Sequence, residues 1–554
     1  MIHCKSVLKN KLYLYVTEFF SGMSVMAVEL GASRLLAPYF SSSQIVWTII
    51  IGTIMIAMAA GNVYGGRSAD KNPNPDRLYK RLIISAIWIA AIPVVGKYVI
   101  LGISGLLIFS VSSYFLIWAA FAACMVIFVY PLFLLGTVTP SLAKYTVESL
   151  EENGKIVGNL GAANTIGSII GTFLPTFVTI PAVGTSVTFL IFSGILLVIA
   201  LIYFINKKSS AKKIIAAVLV FVLCSVFGHE NNFAFWETNL SYEGESVYNY
   251  LQVKENDDSV IFSTNVLFGV QSILKKSEGL TGMYYDYALA APFMAGVCDR
   301  DNLDILILGM GTGTYALQCD KYFENASVEG VEIDEKITSL TKRYFSLPEN
   351  IDVTTYDGRA FLNAVDKKYD IIMVDAYQDI TIPFQMSSVE FFSLVKGHLN
   401  DGGVMVMNMN MRGGDGGGIN SYLGDTVCAV FSEVYTVNVE DSTNQELFAS
   451  NSPEMLDVMK NNIDKLEQKI DEKNLYTSNA SIVNTRNYEL ARMMTRVYNA
   501  IKPYERGNRL MTDDKAPVEL LGMQVIDTLI EEETDYYKKI YKKEGLKGLI
   551  DRLF

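Results

Sequence analysis

The chain has 554 residues, of which 50% are hydrophobic and 19% are charged, which is more apolar than a typical soluble protein. Residues 1–229 carry 16 basic and 7 acidic side chains, whereas the remainder carries 30 and 51, so a basic apolar part precedes an acidic polar part. The acidic part argues against a nucleic-acid partner, and six scattered cysteines with only three histidines argue against a disulfide framework or a metal site.

The first 229 residues contain seven apolar segments, most of them long enough to cross about 30 Å of hydrocarbon. We therefore predict a multi-spanning α-helical membrane domain of about seven spans at 1–229, with the lipid bilayer as its partner. The segments lie at roughly 13–36, 45–65, 82–104, 114–139, 157–180, 186–206 and 212–229.

Basic residues occur in every second loop of this membrane domain. This distribution predicts a protein of the cell membrane whose N-terminus is cytoplasmic. They precede the first segment and follow the second, fourth and sixth, whereas the loops near 40–44 and 181–185 have no Lys or Arg. The last segment, 212–229, is at the limit of spanning length. If it crosses, the polar part lies outside; if it is interfacial or re-entrant, the polar part is cytoplasmic or apposed to the membrane, which is our prediction.

Some residues of the apolar segments are polar or small. Glu18, Glu29 and Arg34 lie in the first segment, where ionisable groups are costly and either mark a pathway or are satisfied locally. Gly167 and Gly171 form a GxxxG pattern, which is typical of closely packed helices.

The polar part begins with short β-type runs between about 246 and 275, which predict a small antiparallel sheet in a β-rich subdomain at 230–300. A helix is predicted at 284–296. Strands and helices then alternate, which predicts an α/β doubly wound, Rossmann-like domain at 301–554. The predicted strands are 304–308, 327–331, 351–355, 370–374 and 403–409, and the helices between them are 313–322, 335–346, 358–364 and 387–397.

Ligands of such sheets bind beyond the carboxyl ends of the strands, and the candidate residues follow strands in this sequence. "DILILGMGTGTYAL" at 304–317 places Gly309, Gly311 and Gly313 in a turn that lets the backbone approach a ligand before a helix begins. Glu332 ends the next strand, 23 residues after Gly309, where an acid can accept bonds from both ribose hydroxyls. This spacing predicts nucleoside binding.

Three further acids follow the third and fourth strands. Asp357 is placed to accept a bond from an adenine amino group or to cap the following helix, and both roles are compatible. Asp375 and Asp379 enter a loop over the same crevice. Two carboxylates there can bind a dication and remove a proton from an ammonium group, whereas the alternative is a solvated acidic loop.

Several motifs in residues 246–410 resemble the polyamine aminopropyltransferases (spermidine synthases), in particular their membrane-fused bacterial members. These motifs are "ESVYNYLQV", "GVQS", "YYDYA", "VEID", "DGRAFL" and "VDAYQD". "IPFQMSSVEFF", "TDDKAPVE" at 512–519 and "NLGAANTIGSIIGTFLP" at 159–175 resemble the fused subset.

The resemblance implies an S-adenosylmethionine-methyltransferase-like fold and an enzyme that transfers an aminopropyl group from decarboxylated S-adenosylmethionine to putrescine or a related amine, without a metal. Asp375 is implied as the base. The implied amine-binding residues are Asp379, Tyr285, Asp286, Gln271 and Tyr377. The implied donor-binding residues are Gly309, Gly311, Thr312, Gly313, Glu332, Asp357 and Gly358. A homodimer is a further partner hypothesis.

Two features depart from the family pattern. Thr312 stands where the family loop has an aspartate that holds the donor's primary amine, and a neutral hydroxyl cannot make that charge-assisted bond. Asp375 and Asp379 are four residues apart, where the family has three. Two other hypotheses therefore stay open: methyl transfer from S-adenosylmethionine, and a non-catalytic sensor of nucleosides or polyamines coupled to the membrane domain.

Overall fold

The structure is a computed structural model of the chain. It describes residues 11–40, 43–108, 114–146, 153–209, 211–230, 232–266, 270–296, 302–377, 382–410, 418–470 and 480–553.

The chain divides into two compact units. The first, a helical unit, comprises Met1–Thr238, Glu243–Leu251 and Asn265–Leu267. The second, an α/β unit, comprises Asn239–Tyr242, Gln252–Thr264 and Phe268–Phe554.

Helices occupy each of the seven apolar segments of the helical unit, although two segments are divided. In chain order the helices are α1 Lys11–Phe40, α2 Gln44–Lys71, α3 Pro75–Leu107, α4 Phe115–Ile127, α5 Val129–Gly136, α6 Val138–Thr146, α7 Asn153–Leu174, α8 Ile180–Asn206 and α9 Ala211–Gly228, with a π-helical turn at Pro175–Thr179 between α7 and α8.

By length and composition, five helices could cross a membrane, or six if the pair Phe115–Ile127 and Val129–Thr146, bent by 50°, forms one broken span. This count takes Asn153–Asn206 as a single stretch of 54 residues. A straight helix of that length would measure about 80 Å, which is more than two bilayer cores. Gly184 interrupts it with φ 80° and ψ 172°, so the stretch has room for the two spans predicted there. Membrane insertion stays a prediction.

The GxxxG pattern brings α7 into backbone contact with α1. A Cβ added at Gly167 would lie 2.0 Å from the carbonyl oxygen of Phe19, and one added at Gly171 would lie 2.1 Å from that of Met23. The interpretation of these glycines as close-packing residues is therefore confirmed.

Glu18 is fully buried in the helical unit, and its Oε1 accepts bonds from Thr139 (2.5 Å) and Asn164 (2.8 Å).

A four-stranded sheet opens the polar part, as predicted, with β2–β3 and β3–β4 antiparallel. Its strands, in the order β1-β2-β3-β4, are β1 Leu240–Glu245, β2 Tyr250–Glu255, β3 Ser259–Ser263 and β4 Ser272–Lys275. The helix predicted at 284–296 is two short helices, α10 Tyr284–Ala288 and α11 Ala290–Ala295, followed by Gly296 in the left-handed conformation.

The rest of the α/β unit is built on an eight-stranded sheet in the order β12-β10-β11-β9-β8-β5-β6-β7. Its strands are β5 Leu303–Leu308, β6 Ala326–Glu332, β7 Asp352–Thr355, β8 Tyr369–Val374, β9 Leu399–Met409, β10 Glu433–Asn438, β11 Gln445–Ser450 and β12 Lys502–Pro503. Its helices are α12 Thr314–Tyr322, α13 Glu335–Tyr344, α14 Gly358–Ala364, α15 Val389–Gly397, α16 Ile419–Cys428, α17 Met455–Gln468, α18 Ala480–Ala500 and α19 Val518–Leu553, with a 3-10 turn at Phe384–Met386.

Strands β5 to β9 pair in parallel, as the alternation of strands and helices predicted, and β10 to β12 add an antiparallel edge that was not predicted. Strands β5 and β8 are almost entirely buried, which explains their continuous apolar sequences. Because β8, β5, β6 and β7 are neighbours and parallel, the loops that follow them meet at one edge of the sheet.

Candidate active site

The glycine turn after β5 fits only glycine at its first position. Gly309 has φ 82°, and an added Cβ would lie 2.4 Å from the Cα of Ala376, the residue after Asp375. The amide nitrogens of Gly309 and Met310 donate to the carbonyl oxygen of Val331 at 2.9 and 3.1 Å. The turn is therefore fixed between the ends of the two neighbouring strands.

Glu332 closes the other side of this turn. Its Oε2 accepts from the amide of Gly311 at 2.9 Å, and its Oε1 accepts from the amide of Asp334 at 3.0 Å. Burial raises the pKa of Glu332 to about 7. A carboxylate has about four acceptor positions, so Glu332 keeps capacity to accept a bond from a ligand hydroxyl.

Asp357 follows β7 and caps α14, where its side chain accepts from the amide of Ala360 at 2.8 Å. The N-cap interpretation is therefore confirmed, and its role toward adenine stays a prediction. Gly358 begins the helix. Arg359, the next residue, binds both carboxylate oxygens of Asp513 at 2.7 Å, so the motif "TDDKAPVE" is tied to the start of α14.

Asp375 is held by two donors from different elements. Its Oδ2 accepts from the Tyr284 hydroxyl at 2.6 Å, and its Oδ1 accepts from Asn408 Nδ2 at 3.0 Å. The Asp375 amide donates to the carbonyl oxygen of Leu308 at 2.9 Å, which continues the β8–β5 pairing up to the glycine turn. Burial raises the pKa of Asp375 to about 7, although both hydrogen bonds act to lower it.

Aromatic hydroxyls surround this carboxyl. The rings of Tyr284 and Tyr285 are 4.0 Å apart at their centroids, and the Tyr285 hydroxyl donates to the backbone oxygen of Gln271 at 2.8 Å. The hydroxyl of Tyr377 donates to the backbone oxygen of Asn408. Burial and the charge of Asp375 raise the pKa of Tyr284 and of Tyr377 well above the ordinary tyrosine value, so both remain neutral donors.

Asp286 has a local structural task. Its Oδ1 accepts from the amide and hydroxyl of Thr281 at 2.9 and 2.8 Å, and its Oδ2 accepts from the amide of Gly282 at 2.6 Å. The Asp286 carboxylate thus stabilises the turn before α10. The residue of this helix whose side chain contacts Asp375 is Tyr284. Asp379 lies outside the described residues.

Thr312 and Gly313 complete the turn at the start of α12. Thr312 is fully buried, its amide donates to Ser272 Oγ at 3.4 Å, and its Oγ1 has no hydrogen-bond partner among the described residues. Gly313 has φ 77° and serves as the N-cap. A buried hydroxyl without a partner in this turn marks the position where the family pattern has an aspartate.

The comparisons with known proteins agree with this geometry. A family model, the spermine/spermidine synthase domain, matches residues 291–412, which include β5 to β9. A probable polyamine aminopropyl transferase of Bifidobacterium longum is 49% identical over 358 residues, which are 63% of this chain and 77% of that protein. The chain belongs to the polyamine aminopropyltransferase family. It is an aminopropyltransferase enzyme.

More distant polyamine aminopropyltransferases match a smaller part. That of Vibrio vulnificus is 27% identical over 200 residues, which are 34% of this chain and 65% of that protein. Among solved structures, a probable spermidine synthase from Corynebacterium glutamicum is similar at 18% identity, covering 41% of this chain and 88% of its own, with a TM-score of 0.34.

For this aminopropyltransferase, the candidate site residues lie at the strand ends where the sequence predicted them, and their roles stay predictions. The turn at 309–313, Glu332, Asp357 and Asp375 follow four adjacent parallel strands, as expected. Tyr284 was not among the predicted site residues, although it belongs to the motif "YYDYA". Asn408 was not predicted either, and its signal is a polar residue near the end of the apolar strand "VMVMNM".

Proposed function

We propose that this membrane-anchored aminopropyltransferase moves the 3-aminopropyl group of decarboxylated S-adenosylmethionine to putrescine or a related aliphatic amine. The observation that carries the proposal is the position of Asp375, held by Tyr284 and Asn408 directly beside the glycine turn. Asp375 takes a proton from the acceptor ammonium, and the neutral amine nitrogen then attacks the carbon next to the sulfonium. The nitrogen–carbon bond forms as the carbon–sulfur bond breaks, and methylthioadenosine leaves.

The raised pKa of Asp375 suits this step. An aliphatic ammonium has a pKa near 10.4, so proton transfer to a carboxyl of ordinary pKa 3.8 costs about 9 kcal/mol. Transfer to a carboxyl with a pKa of about 7 costs about 5 kcal/mol. Burial of Asp375 therefore removes about 4 kcal/mol from the cost while the base still titrates near neutral pH.

The donor side is assigned to the glycine turn and the two acids that follow β6 and β7. Glu332 is already aligned by the Gly311 amide and is proposed to accept from the ribose hydroxyls. Asp357 is proposed to accept from the adenine amino group while it caps α14. Both positions lie on the same edge of the sheet as Asp375, which is the arrangement that in-line transfer requires.

An acidic cavity of about 980 Å³ beside Tyr284 supports a cationic acceptor. Its acidic lining residues outnumber the basic ones, which are Arg492 and Arg496. Tyr284 lines this cavity and its hydroxyl donates to Asp375, and an acidic lining attracts cations. The acidic lining residues are Asp286, Glu440, Asp441, Glu467 and Glu489.

Thr312 motivates the second candidate, methyl transfer from S-adenosylmethionine. Its neutral hydroxyl lacks the charge that an aspartate offers to the amine of the decarboxylated donor. The deciding experiment supplies purified full-length protein and putrescine with donors labelled in the aminopropyl or the methyl group. We expect label in the amine product only from the aminopropyl-labelled donor, and none with Asp375→Asn. Label transferred only from the methyl group would replace the proposal with methyl transfer.

We further propose that the helical unit crosses the cell membrane with the N-terminus in the cytoplasm. The second part of this proposal is that the α/β unit, which we call the catalytic unit from here on, faces the cytoplasm, where the nucleoside donor is made. The basic loops support the first part. The second part requires that α9 does not cross the membrane completely but re-enters or lies at the membrane boundary. This helix has 18 residues and is about 27 Å long, which is slightly shorter than the hydrocarbon core.

A further inference from the structure

The antiparallel edge of the sheet places a buried carboxyl, Glu446, near the proposed amine site. This carboxyl has no part in the mechanism described above. Glu446 lies in β11 directly opposite Asn408 of β9, and its side chain is completely buried. Neither carboxyl oxygen has a hydrogen-bond partner among the described residues. Its neighbours along the strand, Leu447 and Phe448, are apolar and equally buried, so the position itself would accept an apolar side chain.

Glu446 lies next to the base. Asn408, its cross-strand partner, donates to Asp375 at 3.0 Å and accepts from Asn444 Nδ2 at 2.8 Å through its other amide atom. The charge of Asp375 raises the pKa of Glu446 further above the value that burial alone would give. The charge of Glu446 in turn raises the pKa of Tyr377.

The polar groups near Glu446 come from several elements, while β10 presents the apolar Val437 opposite it and α10, which carries Tyr284 and Tyr285, also packs on β11. These polar groups are Asp375 and Tyr377 after β8, Asn408 on β9 and Tyr315 on α12. Within the described part of the chain, no lysine or arginine offsets its charge. A buried carboxylate without a cation or a donor is costly by several kcal/mol, so Glu446 is protonated while the crevice holds no cation.

The proposed reaction brings positive charge to this place. A diamine acceptor carries two ammonium groups, the donor carries a sulfonium, and Thr312 supplies no compensating negative charge. A cation beside Asp375 favours ionisation of any carboxyl in the same low-dielectric region. Glu446 is such a carboxyl, and one with both oxygens still available.

We propose that Glu446 is a second carboxyl of the amine site, neutral in the free enzyme and ionised when a cationic acceptor occupies the crevice. The inference rests on the proposed acceptor site at Asp375. When the diammonium acceptor binds, the protonated Glu446 carboxyl releases its proton to solvent and becomes a carboxylate. Acceptor binding then weakens as the pH falls, and the base Asp375 does not have to neutralise the acceptor alone.

The test measures acceptor binding without turnover. Full-length protein in detergent is titrated with putrescine in the presence of methylthioadenosine, by calorimetry in phosphate and in Tris buffer, whose different ionisation enthalpies report the protons released. The Asp375→Asn variant removes the contribution of the base and keeps native Glu446. We expect it to release up to one proton per amine over the pH range in which free Glu446 is protonated, with an affinity that falls by as much as about tenfold per pH unit within that range.

Two further variants in the Asp375→Asn background complete the test. Adding Glu446→Gln should abolish proton release, make the affinity independent of pH and weaken it at pH 8 by about tenfold or more. Adding Glu433→Gln, a carboxyl at the far end of the adjacent strand β10, should leave proton release and its pH dependence intact. Methylthioadenosine binding reports the fold of each variant.

The outcomes separate the two proposals. If Asp375→Asn binds putrescine with no proton release and no pH dependence, the role of Glu446 is refuted while the acceptor site stands. This holds even if Glu446→Gln fails to fold, because that measurement leaves Glu446 unchanged. If the wild-type protein binds methylthioadenosine but no amine at any pH, the acceptor site at Asp375 is wrong, and the proposal for Glu446 fails with it.

Discussion

The Tyr284 hydroxyl lies 2.6 Å from Oδ2 of Asp375, so a helix that follows the small sheet completes the base that follows β8. The hydroxyl donates and the carboxylate accepts, and this bond lowers the pKa of Asp375 against the larger effect of burial. Tyr284 thus keeps a buried carboxyl ionised near neutral pH, and the predictions below begin from this relationship.

Tyr284→Phe should shift the acid limb of the pH–rate profile upward. In the wild type, Asp375 accepts a proton only when it is ionised, so kcat/KM should rise with pH to a plateau with a midpoint near 7. A hydrogen bond to a charged group contributes about 1.5–3 kcal/mol, so its loss should raise the midpoint by about one pH unit or more. Initial rates measured across the pH range for the wild type and the variant give both midpoints.

Tyr285→Phe is the matched control for that prediction. Its hydroxyl donates to the backbone oxygen of Gln271 and not to Asp375, so the midpoint should stay where it is, whatever happens to KM. An unchanged midpoint in Tyr284→Phe would show that the observed limb belongs to another group.

Asp375→Asn should remove turnover and keep nucleoside binding. Loss of a general base typically costs about 10²- to 10⁴-fold in rate, whereas the donor side is formed by the glycine turn, Glu332 and Asp357. Fluorescence or calorimetric titration with methylthioadenosine gives the binding, and a product assay gives the rate. Loss of nucleoside binding in this variant would mean that Asp375 is a donor-site residue and not the base.

The same substitution should change how stability depends on pH. The folded protein keeps the Asp375 proton up to about pH 7, whereas the unfolded chain loses it near the ordinary value of 3.8. The native state therefore binds more protons in this window, and its stability falls as the pH rises from about 4 to 7.

Asparagine at 375 cannot titrate, so the variant lacks this part of the slope. Between pH 5 and pH 8 it should gain about 2 kcal/mol relative to the wild type, a value reduced for the partial exposure of Asp375. Thermal midpoints of both proteins at the two pH values give the comparison. A constant difference at both pH values would show that the pKa of Asp375 is the same in the folded and unfolded chains.

Gly167→Ala should destabilise the helical unit. An added methyl group would meet the Phe19 carbonyl at 2.0 Å, so α1 and α7 must separate, at a cost of about 1–3 kcal/mol for an overpacked contact. Gly158→Ala in the same helix is the control, because nothing lies within 4 Å of its added Cβ. It should stabilise by up to about 1 kcal/mol through helix propensity, so the two thermal midpoints should move in opposite directions.

A reporter fused after Phe554 should locate the catalytic unit. We expect fluorescence from a green fluorescent protein fusion and no activity from an alkaline phosphatase fusion, which is active only outside the cytoplasm. Phosphatase activity would place the unit outside and would mean that α9 crosses completely. Fusions after Lys71, in a loop predicted to be cytoplasmic, provide the reference signal.

The positions of the parallel strands could be predicted from the sequence because most of these strands are short apolar runs followed by a glycine or an acid. The predicted strand 304–308 and helix 358–364 agree with the structure to within a residue. The antiparallel strands β10 to β12 escaped prediction, since their alternation is interrupted by polar residues such as Glu446 that tertiary burial, and not local propensity, explains.

Side-chain partners were less predictable than strand ends. Asp375 could be chosen from its place after β8, but its contact with Tyr284 joins residues 91 positions apart and depends on how α10 packs. Asp286 looked like an amine ligand by its motif, whereas its oxygens are bonded to Thr281 and Gly282. Sequence spacing fixes which residues share an edge of the sheet, and tertiary packing decides which of them touch.

The missing side chain at Gly309 has a mechanical consequence. Because Ala376 fills the volume that a methyl group would need, the turn proposed to hold the nucleoside packs closely against the peptide that follows the proposed base. A shift of either main-chain segment would press on the other, so we expect the two segments to keep a fixed spacing. Differences in substrate choice should then arise from side chains outside this contact.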